Sequence, residues 1–153
     1  MILGVDPGIT GAMAAIDHRG ELVDFLLMPT KLDGQKKVID VKVIISWLSD
    51  LPIEQALLER VHARPGQGVT SMFNFGRAYG VAEAILMARE IPFERVTPQQ
   101  WKAHHSLMLQ GKDASREKAQ VIWGDPIFDK KAKGQAVADA ALLALFGVER
   151  GAQ

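Results

Sequence analysis

The sequence predicts an α/β protein: a mixed five-stranded sheet whose first three strands are antiparallel, flanked by helices. Three observations lead there. Short apolar runs separated by turn residues fill the first 28 positions, with no helical spacing. Beyond them, strand-like and helical patterns alternate, which is the mark of crossover connections in a layered fold. The C-terminal stretch is rich in Ala and Leu, long enough for a helix laid across a sheet.

The elements follow in order. Ile2, Leu3 and Val5 are β-formers leading to Asp6, and Pro7-Gly8 turns the chain into a second strand from Gly11 to Ile16. Asp17-His18-Arg19-Gly20 closes a hairpin into Glu21 to Met28. Pro29 to Lys37 reads as loop. Asp40 caps a helix whose Val43, Ile44, Trp47 and Leu48 recur at helical spacing, and Pro52 closes it. Glu54 to Glu59 is a strand, followed by a loop with Pro65, Gly66 and Gly68 and a long helix from Ser71 to Arg89. Pro92 to Val96 is the fifth strand. Thr97-Pro98 starts a helix over Gln99 to His105, and another runs from Asp113 to Trp123, stopped by Gly124 and Pro126. Asp125 to Lys133 reads as a charged loop, and Ala136 to Phe146 as the last helix, with Gly147 as its C-cap.

Composition excludes several function classes. The 153 residues fit one domain, 1–153, large enough to bury its own core. No apolar run of about 20 residues spans a bilayer, and the N-terminal strand lacks an export signal, so the expectation is a soluble, cytoplasmic protein without a membrane partner. Without cysteine there is no thiolate chemistry, which leaves Asp, Glu and His as metal ligands. Lys plus Arg equals Asp plus Glu, 18 each, yet Arg95, Lys102, Lys112, Arg116, Lys118, Lys130, Lys131 and Lys133 crowd the C-terminal half.

Three carboxylates stand out: Asp6 and Glu59 at strand ends, and Asp139 on an otherwise apolar helix. Each alone is ordinary, as a turn residue, a strand-end acid or a helix acid. Together, neighbouring strand ends and a helix crossing them would place like charges close in a low dielectric, where a divalent cation is needed to hold them. An oxygen-only set suits a hard ion such as Mg²⁺.

The motifs Ile2-Leu3-Gly4-Val5-Asp6-Pro7-Gly8, Leu57-Leu58-Glu59 and Ala138-Asp139-Ala140-Ala141-Leu142, in this order and spacing, resemble the acidic motifs of RuvC-type Holliday junction resolvases, particularly small phage-borne ones. The resemblance extends through Gly76-Arg77-Ala78-Tyr79-Gly80 and Arg116-Glu117-Lys118-Ala119-Gln120. It implies an RNase H-like fold, a two-fold homodimer, and nicking of two strands at a four-way DNA junction with Mg²⁺ or Mn²⁺, two ions per site. Asp6, held at the centre by two strands, is the natural bridge between the ions, with Glu59 and Asp139 on either side. Lys118 and Lys102 match positions near the scissile phosphate, although for lysine a solvated helix face is the commoner role. Candidate DNA contacts are Lys102, Lys112, Arg116, Lys118, Arg64, Arg77 and the aromatic Phe73, which could stack on opened bases.

One departure stands out. The family carries a fourth ligand, Asp or His, about one turn before the helix aspartate, where this chain has Gly134, Gln135 and Ala136. Gln135 offers a neutral oxygen, and Asp129 or Asp125 could reach in from the loop. A junction-binding protein that does not cut is therefore one alternative. Another rests on Asp6-Pro7-Gly8-Ile9-Thr10-Gly11, which also resembles the phosphate loop of sugar kinases and actin-like ATPases. His104-His105 could suggest metal binding, but neighbours on a helix point about 100° apart and do not easily chelate one ion, so it reads as a surface pair contacting phosphate or solvent. The dimer is expected through the long helix, where Met72, Phe75, Tyr79, Ala82, Leu86 and Arg89 share one face and Ala78, Val81 and Ile85 an adjoining one.

Overall fold

The computed structural model describes residues 1–63 and 65–151; Arg64, expected to contact DNA, lies outside the described residues. Strands β1 (Ile2–Asp6), β2 (Ala12–Ile16) and β3 (Leu22–Leu27) form the expected meander. A two-stranded ribbon follows, β4 (Thr30–Asp33) and β5 (Lys36–Ile39), then α1 (Val41–Ser49), β6 (Gln55–Glu59), α2 (Val69–Ala88) and β7 (Phe93–Val96). The chain continues through α3 (Pro98–His104), α4 (Ala114–Trp123), a 3-10 turn (Pro126–Asp129) and α5 (Lys131–Gly151). The main sheet has the order β3-β2-β1-β6-β7. Its first three strands are antiparallel, while β6 and β7 run parallel to β1 because helices carry the chain across between them.

Strand alternation sends side chains to two cores. Leu3, Val5, Met13, Ala56 and Leu58 pack with Ile44 and Leu48 of α1 and Ala78, Ala82, Ile85 and Leu86 of α2. On the other face, Ile2, Ala12, Ala14, Ile16 and Leu57 meet α5, with Trp101, Ala119 and Phe128 filling in behind it. Because α5 is covered by the sheet on one side and by α4 and the 3-10 turn on the other, it is buried nearly all round from Ala136 to Phe146.

That helix comes unusually near the sheet. A Cβ on Gly4 would run into the carbonyl oxygen of Ala140 and stand 2.9 Å from the Ala144 nitrogen, so glycine is what lets helix backbone rest on strand backbone. Small residues across β2 extend the same shallow bed.

Several local signals behave as expected. Asp40 accepts a hydrogen bond from the Lys42 N–H. Thr97 and Gln100 form a reciprocal capping box with Pro98 in the first turn. Gly124 ends α4 in the left-handed conformation.

Four expectations are corrected. Residues 29–37 are not loop: Asp33-Gly34 turns β4 into β5, with Gly34 at φ +61°. The supposed charged loop from Asp125 to Lys133 holds the 3-10 turn, capped by Asp125, and α5 starts at Lys131. Gly147 does not end α5, which continues to Gly151; a Cβ there would stand 2.7 Å from Leu57 Cδ1, so that glycine serves packing. Lastly, Ala78, Ala82, Ile85 and Leu86 of α2 are buried inside this chain, against the sheet and α1. The exposed face of α2 is instead Phe73, Gly76, Gly80, Ala84 and Met87.

Candidate active site

Asp6 ends β1 and Glu59 ends β6, its parallel neighbour. On β1, Ile2 faces α5 while Leu3 and Val5 face away, so Asp6 falls on the α5 side. By the same alternation Leu57 faces α5 and Leu58 faces away, which puts Glu59 on that side too. Asp139 of α5 directly precedes Ala140, whose carbonyl rests on Gly4. The topology therefore gathers all three carboxylates at one end of β1 and β6.

The turn after β1 fixes the first of them. Gly8 adopts φ +128°, and the Gly11 N–H donates to the Gly8 carbonyl at 3.1 Å. A Cβ on Gly11 would overlap the Asp6 carbonyl. The chain thus doubles back against Asp6 itself.

Electrostatics show how closely the acids feel each other. Burial raises the Asp6 carboxyl well above its ordinary range, and the charges of Glu59 and then Asp139 raise it further, while the Lys102 ammonium pulls it down. Burial also raises Asp139. Against it act a hydrogen bond from Ser115, the charge of Lys102, and a hydrogen bond from Gln135. Lys102, which also lies 5.1 Å from the Trp101 ring centroid, is thus the cation both aspartates sense.

Buried side chains orient the acids. The Trp101 indole N–H donates to Glu59 Oε1 at 3.0 Å, and Trp101 is fully buried. Gln135 Nε2 donates to Asp139 Oδ1 at 3.0 Å, leaving Gln135 Oε1 buried without a partner. Sequence reasoning missed Trp101 and Ser115, since no local pattern ties a residue on α3 or α4 to an acid elsewhere in the chain.

The other expected residues divide. Lys112 joins Lys102, Ser115, Gln135 and Asp139 around a cavity of about 340 Å³. The Lys118 ammonium donates to the His105 carbonyl at 2.6 Å, and Arg116 Nη1 donates to the Phe128 carbonyl at 2.9 Å, so both tie α4 to its neighbours. Asp129 is exposed, Asp125 accepts from the Ile127 N–H at 2.8 Å, and neither lines a cleft at the acids. Phe73 is exposed on α2. Contrary to the surface-pair expectation, His105 is buried and donates to the Leu142 carbonyl.

Asp6 and Glu59 also line a groove of about 1130 Å³, between the β4–β5 ribbon and α2. Lys31, Lys36, Lys37 and Arg77 line it, with Phe75 and Asn74. Pairing across the ribbon sets Asp33 opposite Lys36 and Leu32 opposite Lys37, so Lys31 and Lys36 share one face of it and Lys37 lies on the other. Arg77 lies 3.7 Å from Asp33 of the ribbon. Asp6 and Glu59 thus line one cleft and Asp139 the other, and both clefts carry lysines, an arrangement suited to a polyanion passing over an acidic centre.

No family model and no curated protein matches the chain. Solved structures do. RuvC from Thermus thermophilus superposes with a TM-score of 0.69 at 18% identity, covering 98% of this chain and 96% of that one. T. thermophilus RuvC in complex with Holliday junction substrate matches with a TM-score of 0.69 at 19% identity, over 95% of this chain and 90% of that one. The yeast mitochondrial Holliday junction resolvase Ydc2 matches with a TM-score of 0.60 at 16% identity, over 99% of this chain and 78% of that one. The chain thus has the RNase H-like fold of RuvC, over nearly its whole length.

Proposed function

We propose that this protein is a divalent-metal-dependent endonuclease that binds four-way DNA junctions and nicks two strands symmetrically. The observation that carries the reading is the convergence of Asp6, Glu59 and Asp139 on one face of a fold shared with RuvC, a protein also solved with a Holliday junction substrate. Among the described residues no helix is long and apolar enough to cross a membrane. Action in the cytoplasm is part of the proposal.

The donor set fits a hard cation. It is built of carboxylate oxygens, burial makes the charge of Asp6 and Asp139 costly, and one buried amide oxygen beside Asp139 has no partner. Mg²⁺ or Mn²⁺ held by Asp6, Glu59 and Asp139 would lower the pKa of an attacking water and stabilise the departing 3′-oxygen. Trp101 holds Glu59 in place, and Ser115 and Gln135 hold Asp139. Lys102 stands where an ammonium can offset charge developing on a phosphate. The lysines of the two clefts supply sequence-independent backbone contacts, and Phe73 projects from α2 where it can stack on an unpaired base.

Two symmetrical cuts call for a two-fold dimer. The exposed face of α2 suits one: Gly76 and Gly80 have open space above them, and Phe73 and Met87 flank them as exposed apolar side chains. A binding-only role is favoured by a single feature, the neutral Gln135 where the resemblance expects a charged ligand.

Labelled four-way junction and matched duplex, incubated with Mg²⁺, Mn²⁺ or EDTA, test the reading. Cleavage of the junction that needs the ion and disappears in Asp6→Asn, with junction affinity kept, is the expected result. Binding without cleavage in either metal would leave the junction-binding alternative, and cutting that survives Asp6→Asn would remove the proposed centre.

A further inference from the structure

Away from the acidic centre, α3 and the C-terminal end of α5 bring together His104, His105 and Glu149. One ligand atom from each lies within 4.8 Å of the others. Asp139 and Glu149 are ten residues apart on one helix, about 15 Å along its axis, so the two clusters are separate.

The local chemistry is that of a prepared ligand set. His105 Nε2 lies 2.7 Å from the Leu142 carbonyl, which can only accept, so the proton is on Nε2 and the lone pair on Nδ1. A histidine held by its second nitrogen on a backbone carbonyl is the usual outer-shell arrangement of a metal-bound imidazole. His105 is 4% exposed, and its Nδ1 stands 4.0 Å from Glu149 Oε2, beyond hydrogen-bonding reach. His104 Nε2 meets the same carboxylate oxygen at 2.5 Å, with the two imidazoles edge to face at 5.0 Å. Lys118, whose charge also reaches His105, has its ammonium on the His105 carbonyl, on the backbone side of the residue.

We propose that His104, His105 and Glu149 form a second metal site, selective for a borderline transition-metal ion of the Zn²⁺ class. Two imidazoles and one carboxylate are the donors such ions prefer, and Mg²⁺ avoids nitrogen. Bonds of about 2.0–2.1 Å require the ligand atoms to draw closer than 4.8 Å, which the exposed Glu149 side chain can accommodate by rotating. On binding, the ion displaces the His104 Nε2 proton, and that ring reprotonates on Nδ1. The site would pin α3 to α5, and α3 carries Trp101 and Lys102, so its occupancy would stiffen one wall of the acidic centre.

Calorimetric titration of the full chain with Zn²⁺ in excess Mg²⁺, together with Co²⁺ absorption, tests this. The expected result is one Zn²⁺ per chain and visible tetrahedral Co²⁺ bands, both retained in Asp6→Asn and lost in Glu149→Ala and His104→Ala. Glu149 is exposed and carries the clean test, while the His104 side chain is 28% exposed and packs on Phe146, so the melting curve checks that each variant folds. The proposal is overturned if wild-type protein takes up no Zn²⁺ at micromolar concentration. It is equally overturned if uptake survives Glu149→Ala but not Asp6→Asn, since the ion would then sit at the acids.

Discussion

Replacing Trp101 by Phe removes the one indole donor that orients Glu59 and keeps an aromatic ring in the core. The substitution breaks an N–H hydrogen bond of 3.0 Å to a partly buried carboxylate, and hydrogen bonds to charged groups are worth about 1.5–3 kcal/mol. At about 1.4 kcal/mol per tenfold, that corresponds to roughly 10- to 100-fold weaker metal binding, the range found for outer-shell partners of metal ligands. The smaller ring also leaves a void at a fully buried position, so the melting temperature falls for a reason unrelated to Glu59. Phe128→Leu separates the two effects, because Phe128 is fully buried in the same core and donates nothing to the acids. The assay is the Mg²⁺ concentration giving half-maximal junction cleavage, read beside the thermal midpoint. Trp101→Phe should shift both, and Phe128→Leu the midpoint alone. If both variants lose stability and neither changes the Mg²⁺ requirement, the indole does not position Glu59 and the reasoning fails.

Four further outcomes are expected. In EDTA, Asp6 has a folded-state pKa raised above its unfolded value, so its ionisation opposes folding. Its contribution to stability is present at low pH, declines as pH rises from the ordinary carboxylate range through the raised value, and stays lost above it. Asp6→Asn should therefore melt higher than metal-free wild type at pH 7 and converge with it near pH 4, in a pH series of thermal scans. Gly4→Ala drives a Cβ into the Ala140 carbonyl and should cost about 1–3 kcal/mol or more, lowering the midpoint by several degrees and Mg²⁺ affinity with it. Gln135→Asp exchanges an amide donor for a charge beside Asp139; the metal-free protein should become less stable while cleavage saturates at lower Mg²⁺. Ala84→Glu, on the exposed face of α2, should give folded monomers in sedimentation that bind junctions yet fail at paired incision, whereas a charge at the buried Ala82 should unfold the chain.

Which parts of this architecture were legible in advance follows from where the apolar residues lie. Asp6 could be singled out because the strand before it is buried on both faces, and a carboxylate there has no cheap explanation. Asp139 stood out for the same reason on α5. The β4–β5 ribbon could not be read from alternation because it belongs to a separate two-stranded sheet in which all of β4 is exposed; only Asp33-Gly34 marked it. Of its lysines, Lys36-Lys37 alone were too few to argue from. The faces of α2 were confused because apolar residues circle that helix, with Phe73 and Met87 outside and Ile85 and Leu86 inside. Gly147 looked like a helix stop since the residues it must clear, Ile2 and Leu57, are far away in sequence.

The rest of α5 against β1 also sets an order of assembly. Pairing β1 with β2 and β2 with β3 closes short loops and can proceed early, and β6 joins after one crossover. Asp139 reaches Asp6 only when a helix more than 130 residues downstream docks on Gly4, the longest closure in the chain and so among the slowest steps to nucleate. Until then Asp6 and Glu59 stand at the rim of an incomplete sheet, two acids without the third. Under the proposed function, a nascent or partly unfolded chain would carry basic segments able to meet DNA while lacking the gathered charge to hold an ion, and cutting competence would arrive last, with the closing of the core.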